Sequence, residues 1–421
     1  MNKNNSVYKL VKNNLCYQCG TCKSICPTSA ITMKRIKEKG CIYPVVDSEK
    51  CINCGQCLSV CPINNIDLEE EHIPKNSDFI GIYNCTDKER FDFTASGGIV
   101  TETIKYLFSE KRINKAIVTG MDKNDPINSK VYIVENSNFL KNISGSVYQP
   151  SSVNEVLDKI TENDRVAFVG LPCHIRGLNL FLRKRPKLKN SFVIKIGLIC
   201  TIGRGKHGTN LTLDKSFKLK KYDNIKKIIY RYGMPPGNTR VYLKDGSMIE
   251  KSCREIYQNT DYIFMPKGCL FCTDLFNDEA DITVGDPWGM NKGKKAMAIV
   301  RNQETKNILN EMCRKELIVF DEEITAEQCV KTQSHSVNYK IYNYKGRISA
   351  YKKIGVKIPN IKNISYEKNT IKESIGYNLL MVNSLVFNTK LGYKVAKCTP
   401  SKILYKYRYK ISGVNISKRR G

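Results

Sequence analysis

Two copies of one twelve-residue cysteine pattern constrain this chain more than anything else in it. Cys16-Tyr-Gln-Cys19-Gly-Thr-Cys22-Lys-Ser-Ile-Cys26-Pro27 returns as Cys51-Ile-Asn-Cys54-Gly-Gln-Cys57-Leu-Ser-Val-Cys61-Pro62. Both read C-x2-C-x2-C-x3-C-P. Three closely spaced thiolates in a tight loop suit three irons of one cubane cluster, and the proline turns the fourth cysteine away. Structural zinc sites use paired C-x2-C spacing instead, which a duplicated four-cysteine run does not follow. Gly20 and Gly55 leave room for the backbone to approach a cube, where amides can bond its sulfurs. The chain holds 18 cysteines in 421 residues. The opening MNKNNSVYKLVKNN has no apolar signal region, and no run of about 18 apolar residues follows. A cytoplasmic protein is expected, and in a reducing compartment many cysteines argue for metal or redox work rather than disulfides.

The run is that of bacterial two-cluster ferredoxins, in which the fourth cysteine serves the other cluster. Cluster one is therefore assigned to Cys16, Cys19, Cys22 and Cys61, and cluster two to Cys51, Cys54, Cys57 and Cys26. Two 4Fe–4S clusters in one small unit make a one-electron wire. Cys41 is spare.

The remaining chain reads as mixed α/β, after a polar linker near residues 67–78. Phe93-Thr-Ala-Ser96-Gly97-Gly98-Ile-Val-Thr101 predicts a helix capped by Ser96, whose start can hold a phosphate through free amides. Strands are expected at Lys115–Thr119, Val131–Val134, Arg165–Gly170 and Phe192–Ile202. Helices are expected at Asn154–Ile160 and after Leu171, and a hairpin at Asp245-Gly246. Cys173 and Cys200 then fall near strand C-termini, the ligand edge of an open α/β sheet. With Cys269 and Cys272 they could supply a third cluster; the C-x-x-C pair alone could be redox-active or zinc-bound. A nucleophilic Cys173 activated by His174 is disfavoured, because neighbours on a strand-to-helix turn rarely face each other. Cys85, Cys253, Cys313, Cys329 and Cys398 default to structural roles, and His72, His207 and His335 show no role.

Several motifs now stand in one order: T-A-S-G-G-I-V-T at 94–101, G-S-V-Y-Q at 145–149, G-L-P-C-H at 170–174, G-L-I-C at 197–200, K-G-C-L-F-C-T-D at 267–274 and A-D-I-T-V-G-D-P-W-G at 280–289. With the cysteine repeat, they make the chain resemble the family of coenzyme F420 hydrogenase/dehydrogenase beta subunits in its ferredoxin-fused form. The resemblance implies an N-terminal two-cluster 4Fe–4S ferredoxin domain over 1–70. A mixed α/β flavin- and iron–sulfur-binding domain follows over 71–340, and a basic extension over 341–421. It implies FAD, a third 4Fe–4S cluster on Cys173, Cys200, Cys269 and Cys272, and coenzyme F420 as a candidate substrate. Ser96, Gly97 and Gly98 match the flavin-side helix start. Asp281, Gly285 and Asp286 match the strand and turn near the redox centre. His174 stands where many relatives carry Gln, which bears on substrate choice.

Charge is uneven. The formal net charge is +29, and residues 341–421 carry 18 basic against 2 acidic groups. Without a recognition motif this does not indicate nucleic-acid binding. The readings are a solvated Lys-rich extension, or a surface for anionic lipid or an acidic partner such as ferredoxin. The leading functional expectation is a flavin- and iron–sulfur-dependent oxidoreductase joining a one-electron carrier protein to a small two-electron substrate. Its rivals are a non-catalytic electron-transfer subunit of a larger complex, an accessory reductase of polysaccharide synthesis, and an iron–sulfur assembly factor.

Overall fold

The computed structural model describes residues 5–67, 72–87, 93–143, 145–257, 260–290 and 293–417. Part of the expected linker (68–71) and the Lys418–Arg420 run lie outside them. Residues 15–67 form the ferredoxin-like unit. Its hairpin pairs Ile31–Ile36 with Cys41–Val46, Ile31 opposite Val46. Each cysteine loop runs into a single helical turn, Thr21–Ser24 or Gln56–Ser59.

The α/β domain is built on an eight-stranded mixed sheet. Its centre is four parallel strands, Lys115–Met121, Val166–Gly170, Phe192–Leu198 and Ile282–Gly285. These are the β-branched and apolar runs of the sequence, as strands covered on both faces require. Antiparallel strands close both sides, Ser129–Val134 on one and Ala296–Val300, Phe79–Cys85 and Ile318–Glu323 on the other. A separate three-stranded sheet holds Ile225–Tyr232, Asn238–Leu243 and Met248–Ser252, the last two joined at Asp245-Gly246. The stretch expected as a helix at 154–160 is 3-10 over Val153–Lys159.

The C-terminal segment departs most from expectation. It is not a solvated extension. Helix Ile371–Val386 packs onto the cysteine-bearing turn Lys267–Phe271, flanked by Tyr344–Lys353 and Ser401–Ile416, while Lys390–Cys398 lies against the helix Lys206–Lys215. Tyr351, Tyr377, Leu380 and Met381 join one core with Phe271, Ile175 and the ferredoxin residues Leu58, Val60 and Ile63. Many of its lysines face solvent, and so do Ile371, Ile375, Leu391, Ile403 and Tyr409, so only one face of these helices is buried. Among the described residues no helix is long and apolar enough to cross a membrane.

Candidate iron–sulfur and cofactor site

In both cysteine loops the backbone turns left-handed at the same two places. These are Gln18 and Gly20 in the first loop, and Asn53 and Gly55 in the second. This curls each loop around its three thiols. Cys16 and Cys22 feel the charges of Cys19 and Cys61, whereas Cys57 feels Cys26, Cys54 and Cys51. The fourth cysteine of each run thus lies with the other loop. A small cavity is lined by Cys16, Cys19, Cys22 and Cys61 with Val7, Leu10 and Leu15. Backbone amides aim at the sulfurs, Gln18 N–H to Cys16 Sγ at 3.3 Å, Val7 to Cys57 at 3.4 Å and Ala30 to Cys26 at 3.3 Å. Burial and the neighbouring thiols push the Cys61 thiol up to about 12. Buried thiolates this close need a cation, which iron supplies, deprotonating its ligands outright. Cys54 is exposed, so the second set lies at the surface.

Gly20 has a further duty. A Cβ there would meet the Glu155 amide nitrogen at 2.7 Å, so this glycine serves the docking of the ferredoxin-like unit as well as its own loop.

The four body cysteines meet at the C-terminal edge of the parallel strands. Cys173 opens the helix Pro172–Lys184, and Cys200 follows the strand Phe192–Leu198 by two residues. Cys269 lies on the 3-10 turn Lys267–Phe271, and Cys272 caps it. The expected strand to Ile202 stops at Leu198, which frees Cys200 to bond backbone to Leu275. Burial raises the Cys173 thiol strongly, with contributions from Cys19, Cys200, Cys272 and Cys269. Cys269 is pushed up to about 12 by burial, then by Cys200 and Cys272. The first ferredoxin set and the body set face each other across one seam, and Cys19 is among the thiols that raise Cys173. The seam between them is tight: Tyr17 Oη donates to Phe271 O at 3.1 Å, and Lys267 Nζ to Asn13 O at 3.0 Å. A Cβ on Gly268 would lie 2.3 Å from Cys16 O.

Lys340 was not singled out by sequence. Its ammonium, on a residue 2% exposed, donates to Cys272 Sγ at 3.2 Å and to Asp274 O at 2.5 Å. Nothing in the sequence separates it from the surface lysines around it, except the tyrosines that bury it. His72 was likewise given no role, yet it is buried with its Nδ1 2.8 Å from Asp278 Oδ2, beside Asp274.

The other predicted site residues are placed as follows. Ser96 does not cap a helix: its hydroxyl donates to Lys295 O at 2.7 Å, and Gly98, at φ 78°, is the N-cap of Ile99–Ser109. Gly97 packs where a Cβ would lie 2.6 Å from Ala296 N and Tyr83 O, so the strands displace the helix start by two residues. Asp286 follows the strand Ile282–Gly285 at the cysteine edge and pairs with buried Arg231 at 2.7 Å. The Arg231 guanidinium lies 5.4 Å from the Trp288 ring centre. A Cβ on Gly285 would strike Ile199 at 2.4 Å. Asp281 sits at the opposite end of that strand, its carboxylate accepting from Lys195 N and Asn302 Nδ2. His174 is turned to its own helix: Nδ1 accepts from Leu171 N–H at 3.1 Å, and burial lowers its pKa to about 4. It is neither a base for Cys173 nor free to contact a substrate.

Three sets of thiols, packed in series, define an iron–sulfur protein with a ferredoxin-like unit docked on an α/β domain. Comparison with known proteins agrees. Residues 84–158 and 163–325 match the N-terminal and C-terminal models of the coenzyme F420 hydrogenase/dehydrogenase beta subunit, and residues 15–65 match a 4Fe-4S dicluster domain. The chain belongs to this family, as an iron–sulfur oxidoreductase with an N-terminal dicluster domain. It is 25% identical over 321 residues to one of the subunits of the F(420)H(2) dehydrogenase of Methanosarcina mazei, covering 70% of this chain and 85% of that one. It is 26% identical to the coenzyme F420-dependent sulfite reductase of Methanocaldococcus jannaschii, over 75% of this chain but 48% of that one. A chain of the F420-reducing [NiFe] hydrogenase complex from Methanosarcina barkeri shares the fold, with a TM-score of 0.54 at 16% identity. That match covers 70% of this chain and 98% of that one.

Proposed function

We propose that the chain passes electrons singly along three 4Fe–4S clusters between a carrier protein and a flavin serving a two-electron substrate. One observation carries this reading: the loop of the first cysteine set is seated directly on the body cysteine turn, Tyr17 Oη bonding Phe271 O and Gly268 pressed on the Cys16 backbone, while the second set reaches the surface at Cys54. Cys51, Cys54, Cys57 and Cys26 would hold the surface cluster, where the carrier docks. Cys16, Cys19, Cys22 and Cys61 would hold the next, and Cys173, Cys200, Cys269 and Cys272 the third. Their buried, mutually repelling thiols fit iron.

The edge of the sheet also fits a flavin. Asp286 Oδ1 is buried and accepts no hydrogen bond, so a ligand donor there would satisfy it. Trp288 and Phe93 are exposed and offer flat faces, and a Cβ on Gly145 would lie 3.5 Å from the Phe93 carbonyl. Gly98 caps its helix without a side-chain bond, leaving first-turn amides to hold a phosphate. A bound FAD would accept two electrons as a hydride and release them one at a time. Asp286, Trp288, Phe93 and the helix start at Gly98 would hold it, on the strand edge that also carries Cys173 and Cys200. Asp281 would act from a distance, by fixing Lys195 and the strand that delivers Asp286. Because relatives are named for coenzyme F420, a reduced deazaflavin is the first substrate to try.

The test is anaerobic purification with iron, sulfide and flavin quantified per chain, beside reduction by deazaflavin. About twelve irons and one flavin are expected. About eight irons and no flavin would overturn the reading and favour an electron-transfer subunit without its own substrate. A relative named as part of a dehydrogenase complex makes that the second reading.

A further inference from the structure

Two buried cations lie near the body cysteines' turn, both from the segment beyond residue 325, where the family model ends, and Lys340 is the one that contacts a cysteine. Lys340 bonds Cys272 Sγ and the Asp274 carbonyl, and its charge also acts on Cys200 and Cys269. Arg347, wholly buried, spends its bonds on the carbonyls of Leu270 and Tyr339, between the rings of Tyr339 and Tyr344. Burying an ammonium is costly unless an anion meets it. The Asp274 carboxyl is one neighbour, but the side-chain group in hydrogen-bond contact is the Cys272 sulfur. By contrast, the ferredoxin-like unit's sulfurs receive backbone amides.

We propose that Lys340 sets the reduction potential of the body cluster, holding it above the value its four thiolates alone would give. This rests on the reading that Cys173, Cys200, Cys269 and Cys272 ligate a cluster. Reduction adds one negative charge to a group that is already anionic. A fixed cation at hydrogen-bond distance, in a medium of low dielectric, stabilises the reduced state more than the oxidised one.

The experiment uses the full chain, purified anaerobically, as Lys340→Met, Lys340→Gln and Lys340→Arg. Iron per chain is measured first, then each cluster's midpoint by redox titration followed by electron paramagnetic resonance. Met and Gln should keep their iron and lower the body midpoint by at least a tenfold change in the reduced-to-oxidised ratio, ~59 mV for one electron. Arg should stay near the parent, and the other two clusters should not move. An unchanged midpoint with full iron overturns the proposal. So does loss of the body iron in Met and Gln with retention in Arg, which would make Lys340 a structural counter-ion only. A parent chain with about eight irons and no third signal fails the cluster reading itself, a separate result.

Discussion

Cys269 shows what a single residue does in this site. Its thiol is enclosed by Gly203, whose Cβ would lie 2.7 Å from the sulfur, and by Cys200 and Cys272. Cys269→Ser should lose about four of twelve irons and leave the ferredoxin-like unit's eight; iron analysis with the visible spectrum decides it. Loss of all iron would instead mean that the sets do not load independently. Lys206 carries a pH signature. Its ammonium is buried against the Ile127 carbonyl and near Arg35, which lowers its pKa to about 7. An unfolded lysine titrates near ~10.4. Between these values the unfolded chain binds more protons, so the stability contribution rises with pH; below about 7 both states are charged and it is constant. Denaturant midpoints of the parent should therefore gain on Lys206→Met from pH 7 to pH 10. Parallel curves would exclude this.

At the scale of elements, two glycines make opposite predictions. Gly268 holds the turn Lys267–Phe271 against the backbone of Cys16, which cannot give way as a side chain could. Gly268→Ala should cost about 1–3 kcal/mol by overpacking and loosen the seam between the two thiol sets. Gly413 lies in the helix Ser401–Ile416 with nothing near its Cβ position. Gly413→Ala should stabilise by roughly 0.5–1 kcal/mol, since helical alanine loses less entropy. Urea titrations of the two variants side by side check both signs. The helix Pro172–Lys184 follows the same logic, with Gly177 pressed on Thr21.

Across the whole molecule, ferredoxin-like unit, sheet domain and C-terminal helices share a core, so none of them is an appendage. His207 illustrates the joint: its Nε2 meets Lys37 O at 3.0 Å and its Nδ1 meets Phe387 O at 3.4 Å, touching hairpin and C-terminal helix together. Deleting residues 371–421 should uncover Phe271, Tyr351 and the cysteine turn. The expected product is a chain that retains about eight irons and loses the body set, measured as iron per chain and by proteolysis of the exposed turn. Retention of the full iron content would show the C-terminal helices to be dispensable for the site.

The cysteine repeat was legible because cluster spacing is local: four thiols and a proline within twelve residues leave little to tertiary context. The central strands were legible because burial on both faces demands continuous apolar runs. Membership of the family was legible from ordered short motifs, which packing does not disguise. Which lysine of many is buried, by contrast, depends on what covers it. The C-terminal segment allowed a solvated reading beside that of an interaction surface because its charge was visible, while the tyrosine and leucine contacts that seat it, and the burial of Lys340, are assembled only by folding. Likewise Ser96 and Asp281 had the right chemistry in sequence, yet strand packing at Gly97 moved the helix start, and strand direction put Asp281 at the end away from Cys200. Local covalent spacing settled what the chain can ligate, and the packing of distant segments decided which charges surround it.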